Sequence, residues 1–167
     1  AKTNRSTIAK GFAKGIGGEC RCVLDICHNS ITRIGQDGSN LCLHRKGLAH
    51  SDSGIVVIPG SRGSLTYLVK PKGDQDQNLW SLPHGAGRKW NRKSCSDRLK
   101  KNFSPDSLTR TSLGGRVICD DRDRLFEEAP QAYKNIEKII KELADQGLIE
   151  VIATFRPLIT LKMRKTQ

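Results

Sequence analysis

The sequence predicts an α+β fold, with mixed β-sheets flanked by helices, and three observations carry that reading. Short apolar or β-branched runs outnumber helical ones and do not alternate strictly with them, which favours the α+β class. Residues 127–146 repeat apolar side chains at helical spacing (Ile136, Ile139, Ile140, Leu143) and end at Gly147, a natural helix stop. Clusters of Gly and Pro cut the rest into short pieces.

In chain order, residues 4–14 read as the end of a helix with Ile8, Ala9, Phe12 and Ala13 on one side, stopped by Gly15, Gly17 and Gly18. Short apolar segments follow at Cys22–Ile26 and Leu41–Leu43. The run Ile55-Val56-Val57-Ile58, ended by Pro59-Gly60, has the pattern of a strand buried on both faces. Leu65–Val69 reads as the next strand, closed by Pro71-Lys72-Gly73-Asp74. Lys89–Lys101 is basic and polar, a helix in prospect. Gly114-Gly115 predicts a turn before a strand at Val117–Cys119. Leu148–Phe155 and Leu158–Leu161 close the chain as strands separated by Pro157.

The 167 residues are 36% hydrophobic, with four Phe, two Trp and two Tyr, so one domain with a mainly aliphatic core is expected. No stretch approaches the roughly 20 apolar residues of a membrane span. No apolar signal core follows Ala1-Lys2-Thr3-Asn4-Arg5. A cytoplasmic location without a membrane partner is the expectation. Lys and Arg number 29 against 17 Asp and Glu, a net charge of +12. That excess favours a polyanionic partner, nucleic acid or another polyphosphate. The alternative is a fragment whose missing half balances the charge. The six cysteines are too sparse for a disulfide scaffold, so reduced thiols are expected. Cys20, Cys22, Cys27 and His28 cluster, but their spacings match no common zinc pattern. Small buried hydrophobes are the plainer role for the cysteines.

The run Pro83-His84-Gly85-Ala86-Gly87-Arg88 carries the chemistry. Glycines at 85 and 87 allow positive φ and close approach of backbone to a ligand. His84 is a nucleophile near neutral pH, and Arg88 a cation able to grip a phosphate. His28, after an apolar run, is expected at a strand end, where it is a metal ligand or a hydrogen-bonded core residue. Pro59-Gly60-Ser61-Arg62-Gly63-Ser64 is either an anion-binding nest or a plain hairpin turn. Two basic segments, His44-Arg45-Lys46-Gly47 and Arg88-Lys89-Trp90-Asn91-Arg92-Lys93, favour phosphate binding. Trp90 either stacks on a base or caps the core.

Read together, His28-Asn29, His44-Arg45-Lys46-Gly47, Val57-Ile58-Pro59-Gly60-Ser61-Arg62-Gly63, His84-Gly85-Ala86-Gly87-Arg88 and Glu127-Glu128-Ala129-Pro130-Gln131-Ala132-Tyr133-Lys134 resemble the C-terminal portion of the RtcB family. The ending Arg156-Pro157-Leu158-Ile159-Thr160-Leu161-Lys162 fits too. These are GTP- and Mn²⁺-dependent RNA ligases of RNA repair and tRNA splicing. They join 3′-phosphate or 2′,3′-cyclic phosphate RNA ends to 5′-hydroxyl ends. The resemblance covers essentially residues 1–167 and looks closest to the divergent, RNA-repair branch, since the histidine run continues as Lys89-Trp90-Asn91-Arg92. The mainstream family has serine where Asn91 stands and methionine where Arg62 stands, departures that bear on substrate preference.

The resemblance implies roles. His84 matches the histidine that attacks the α-phosphate of GTP and carries GMP. His28 matches a manganese ligand, with Asn29 a nucleotide contact beside it. Pro59, Gly60, Ser61, Arg62 and Thr66 match the segment that holds the nucleotide, and Gly85, Ala86 and Gly87 match backbone contacts around the guanylate. Lys162 matches the lysine that recognises guanine, and Tyr133 a tyrosine near the nucleotide. The family's other metal ligands, an aspartate, a cysteine and two histidines, lie upstream of the His28 segment, and nothing in residues 1–27 matches them. The implied partners are therefore RNA with broken ends, GTP and a missing N-terminal half. The alternative is a non-catalytic nucleotide- or RNA-binding remnant of that family.

Overall fold

The computed structural model describes residues 2–34, 40–52 and 54–163. Residue 1 and residues 164–167, the ends of the expected 1–167 unit, lie outside them. The chain opens with helix α1 (Lys2–Gly15), then an irregular stretch, then strands β1 (Asn29–Ile34), β2 (Leu41–Lys46), β3 (Leu48–His50), β4 (Val56–Ile58), β5 (Thr66–Pro71) and β6 (Ser81–Pro83). Helix α2 (Arg92–Leu99), strand β7 (Arg116–Cys119), helices α3 (Arg122–Glu127) and α4 (Ile136–Asp145), and strands β8 (Ile149–Phe155) and β9 (Ile159–Lys162) complete it. Three antiparallel sheets, β1-β2, β3-β6 and β4-β5-β8, accompany one parallel pair, β7-β9. The class is α+β, as expected.

Two buried clusters hold the body together. The first joins Val56, Ile58 and Val69 to Leu82, Ile149 and the α4 residues Ile136 and Ile140. Each such aliphatic side chain contributes about 1.5–3 kcal/mol on burial. The second gathers Cys95 and Leu99 of α2, Val117 of β7, Leu125 and Phe126 of α3, and Ala129 and Ala132.

Several expected elements are corrected. The helix expected over 127–146 is broken: α3 ends at Glu127, Pro130–Ala132 forms a short 3₁₀ turn, and α4 begins at Ile136. Pro130 lacks the N–H a helix needs and disfavours helical backbone at Ala129. Asn135 restarts the helix by accepting hydrogen bonds from the amides of Glu137 and Lys138. β4 is not buried on both faces. It is the edge of its sheet, Ile55 is 43% exposed, and Val56 and Ile58 alternate with half-buried Val57. Residues 22–26 form no strand, and Val23 is exposed. Helix α1 exists, but its Ile8 and Phe12 face solvent. Among the cysteines, Cys95 is buried as expected, while Cys20, Cys22 and Cys42 are exposed. α2 starts at Arg92 rather than Lys89, because Asn91 caps it by accepting from the Ser94 amide.

Candidate active site

The loop 84–89 is clamped by backbone. The His84 amide donates to Gly47 O, the Lys134 amide to Gly87 O and the Lys89 amide to Ala132 O. Gly85 has φ +105°, and a Cβ there would stand 2.9 Å from Pro59 O, so this position admits no larger residue without movement. The histidine loop thus lies against Pro59 on one side and residues 132–134 on the other.

His28 and His84 stack, ring centroids 4.0 Å apart and planes within 7°. Sequence reading placed both in the site without foreseeing this contact, for their 56-residue separation conceals it. The contact follows from strand pairing. The Leu48 amide donates to His28 O, and Asn29 Oδ1 accepts from the Gly47 amide at 3.0 Å. Because Gly47 O in turn holds the His84 amide, residue 47 joins the two histidine backbones. His28 stands at the start of β1, not at the end of a strand. Burial first, and the neighbouring His28 second, hold the His84 imidazole below its ordinary pKa. Its Nδ1 is buried and meets no partner among the described residues.

A cavity of about 280 Å³ is lined by Gly60, Ser61, Arg62, Thr66, Glu128, Tyr133, Pro157, Thr160 and Lys162, with Gly60 next to the Pro59 on which the histidine loop lies. It brings together six residues that the sequence had assigned to nucleotide binding. The segment between β4 and β5 closes an antiparallel hairpin, and four of its N–H groups are bonded internally. Gly60 donates to Thr66 Oγ1, Ser61 to Ser64 Oγ, Gly63 to Ser61 Oγ and Ser64 to Ser61 O.

Glu128, which sequence reading did not assign, is the hub of the far wall. Its Oε2 accepts from Tyr133 OH at 2.5 Å, and its Oε1 lies 3.4 Å from both Arg88 Nη1 and Arg92 Nε. Burial pushes the carboxyl up, but the Tyr133 hydrogen bond and the charges of Lys162, Arg88 and Arg92 outweigh it and leave the pKa low. Tyr133 is raised, first by burial and then by Glu128. Arg88 does not reach out for a phosphate. Nε donates to Trp90 O, Nη1 to Tyr133 OH at 3.1 Å and Nη2 to Glu127 O at 2.5 Å. Thr160 and Pro157, also unassigned, lay within the quoted closing motif, as Glu128 lay within 127–134. Their inward orientation needed the pairing of β9 with β7, which sets Lys162 beside Cys119. Arg62 is buried, its pKa lowered by desolvation against the opposing charges of Cys119, Glu128 and Tyr133. Trp90 packs on the second cluster under the Arg98 guanidinium, in a capping position.

The family model described as tRNA-splicing ligase RtcB matches residues 1–163. The chain belongs to the RtcB family. The RNA-splicing ligase RtcB2 of Escherichia coli is 44% identical over 97% of this chain. The tRNA-splicing ligase RtcB of Archaeoglobus fulgidus is 30% identical over 81% of it, and that of Pyrococcus horikoshii 28% over 81%. The chain spans 42%, 32% and 18% of the lengths of these RtcB relatives, matching their C-terminal part.

The manganese that the resemblance implies finds an incomplete set of donors in this RtcB chain. His28 offers an imidazole, but no group of three or more His, Cys, Asp or Glu side chains able to hold a metal occurs among the described residues. No helix among the described residues is long and apolar enough to cross a membrane.

Proposed function

We propose that this chain carries the nucleotide-transfer portion of an RNA ligase. A ring nitrogen of His84 attacks the α-phosphorus of GTP, the bond to the β-phosphate oxygen breaks, and pyrophosphate leaves. The product is a histidine-GMP phosphoramidate, which splits one hard condensation into easier transfers. A 3′-phosphate oxygen of RNA then takes the guanylyl group and frees the imidazole. Attack of an RNA 5′-hydroxyl on that activated phosphate expels GMP and joins the ends. A 2′,3′-cyclic phosphate enters this sequence once water has opened it to a 3′-phosphate.

What supports the reading is His84 itself: a loop-clamped imidazole whose pKa burial and His28 lower, on a loop that packs against Pro59, the neighbour of cavity-lining Gly60. Neutrality matters because a protonated ring has no lone pair to attack with. Asn29 acts by fixing Gly47, and through it His84. The base is assigned to the cavity with Tyr133, Thr66 and Lys162, and the phosphates to the end near Gly85, Ala86 and Gly87. Mn²⁺, held by His28 and by donors from the part of the relatives that this chain lacks, would polarise the α-phosphate. The net charge of +12 suits an RNA partner.

The shortage of metal donors favours a second reading for the chain by itself, a module that binds nucleotide or RNA without transferring it. The two part in one experiment. With α-labelled GTP and Mn²⁺, the chain combined with the N-terminal region of its own enzyme should acquire acid-labile, base-stable label. His84→Ala should reduce that label and RNA joining to background together. Full labelling of His84→Ala would sink the assignment, and labelling of neither protein would favour the binding module.

A further inference from the structure

Arg45 of β2 belongs to a basic segment of the sequence, yet it is only 4% exposed. Its guanidinium is spent on four neutral acceptors. Nη1 donates to Thr32 Oγ1 of β1 at 2.7 Å, and Nε to Ser81 Oγ of β6 at 2.8 Å. Nη2 donates to Leu79 O and Trp80 O, each at 3.2 Å. A buried charge with no carboxylate among its partners is costly, and hydrogen bonds to most of its donors offset that cost.

The strands that this guanidinium joins lead to the two stacked imidazoles. β1 begins at Asn29, directly after His28, and β6 ends at Pro83, directly before His84. Leu79 and Trp80, just ahead of β6, have φ of +51° and +47°, a left-handed backbone that residues other than glycine rarely adopt. Such a turn persists only where its surroundings hold it. Arg45 holds both of its carbonyls, and Ser81 Oγ and the Ser51 amide add one bond each.

The geometry points to Arg45 as a positioning residue that fixes the His28 ring against the His84 ring by joining β1 to the turn and strand that precede His84. The bonds through Gly47 tie the two backbones next to the histidines. Arg45 ties them again further along, and a second tie fixes orientation where one fixes only separation. The planar fork of arginine spans both strands, whereas the single nitrogen of lysine cannot. The consequence for catalysis rests on the nucleotide-transfer reading above: an imidazole held out of line attacks slowly.

The test reads the ring contact by NMR in the full chain carrying isotope-labelled histidine, with the His84 signals assigned by their loss in His84→Gln. Stacking moves the His84 ring protons upfield, and His28→Ala defines their unstacked position. Arg45→Met and Arg45→Lys should bring the signals to that unstacked position. Thr32→Val combined with Ser81→Ala removes the side-chain acceptor on each strand and should do the same, which decides the matter if the Arg45 variants fail to fold. Leu108→Ala, in the second buried cluster, should lower the melting temperature and keep the stacked position. A stacked position that survives in folded Arg45→Met, or in the double variant, overturns the proposal. So does its loss in Leu108→Ala, which would make the shift a measure of general loosening, and so does its absence from wild type. In the chain combined with the N-terminal region of its own enzyme, Arg45→Met should slow labelling at saturating GTP about ten- to a hundredfold, with half-saturating GTP unchanged. An unslowed rate, or a change in half-saturation alone, also overturns it. Failure of wild type to label overturns the nucleotide-transfer reading instead, and the proton shifts still decide the role of Arg45.

Discussion

The N-terminal stretch and the body of this protein present apolar side chains to different surroundings. Ile8 and Phe12 on α1, Val23 in the irregular segment and Ile31 on β1 are 60–85% exposed, in round figures, whereas Ile58, Leu82 and Val69 in the body are at 0%. His28 belongs to the first region and His84 to the second. His84 therefore sits on well-packed structure, and its stacking partner on structure tied to the body by Ile26 and by hydrogen bonds through Gly47, Leu48, the buried Arg45 and the pair Ser30 Oγ···His50 Nε2. The difference teaches that the His84 side of this site rests in the core, while the His28 side is held to it largely by hydrogen bonds. Regions held that way open more readily than a core does.

Breaking that comparison takes paired truncations. Ile58→Ala should destabilise the protein by about 2–5 kcal/mol, and Phe12→Ala by no more than about 0.5 kcal/mol. Urea unfolding of both variants measures this. Equal losses would mean that α1 is covered in solution and that the contrast is false.

A smaller effect sharpens the picture within the body. Glu128→Gln removes the charge that faces Arg88, Arg92 and Lys162 while keeping an acceptor for Tyr133. A loss of about 1–3 kcal/mol is expected, the cost of leaving buried donors poorly matched. An unchanged unfolding midpoint would show that Arg88 is held by its carbonyl contacts alone.

The smallest effect is in the pH profile, and its sign follows from burial. His84 in the folded protein has a pKa below its ordinary 6.5, so near and below that pH the unfolded chain binds protons that the folded one resists. Stability should be full above about 6.5 and fall as pH drops from there toward the lowered value. His84→Gln should flatten that portion of the curve, measured as melting temperature against pH. An unaltered slope would place the imidazole in water, outside the packed body.

Much of the body was legible because local chemistry dictates it. The strands near 56, 66, 117, 149 and 159 follow from β-branched runs bounded by Gly and Pro, and α4 from its Ile and Leu spacing. The break at Pro130 was equally written in the sequence, but helical periodicity on its far side masked it. The irregular Cys22–Ile26 segment misled because an apolar run has no fixed structure until something covers it. In the site, His84, Gly85 and Lys162 stood out by residue type and motif. Glu128, Pro157 and Thr160 did not, since their role comes from which side of a turn or strand faces the cavity.

By itself the sequence determined residue chemistry and short-range geometry: an imidazole between a proline and a glycine, a basic surplus and the order of the motifs. Tertiary structure decided the rest. Antiparallel pairing brought residues 28 and 84 into ring contact, and parallel pairing of the last strand with residues 116–119 carried Lys162 to the cavity. It also turned Arg88 inward and left Arg62 with unused donors. The physical reason is that a hydrogen bond or a desolvation cost depends on partners distant in the chain, and strand register, not local propensity, selects them.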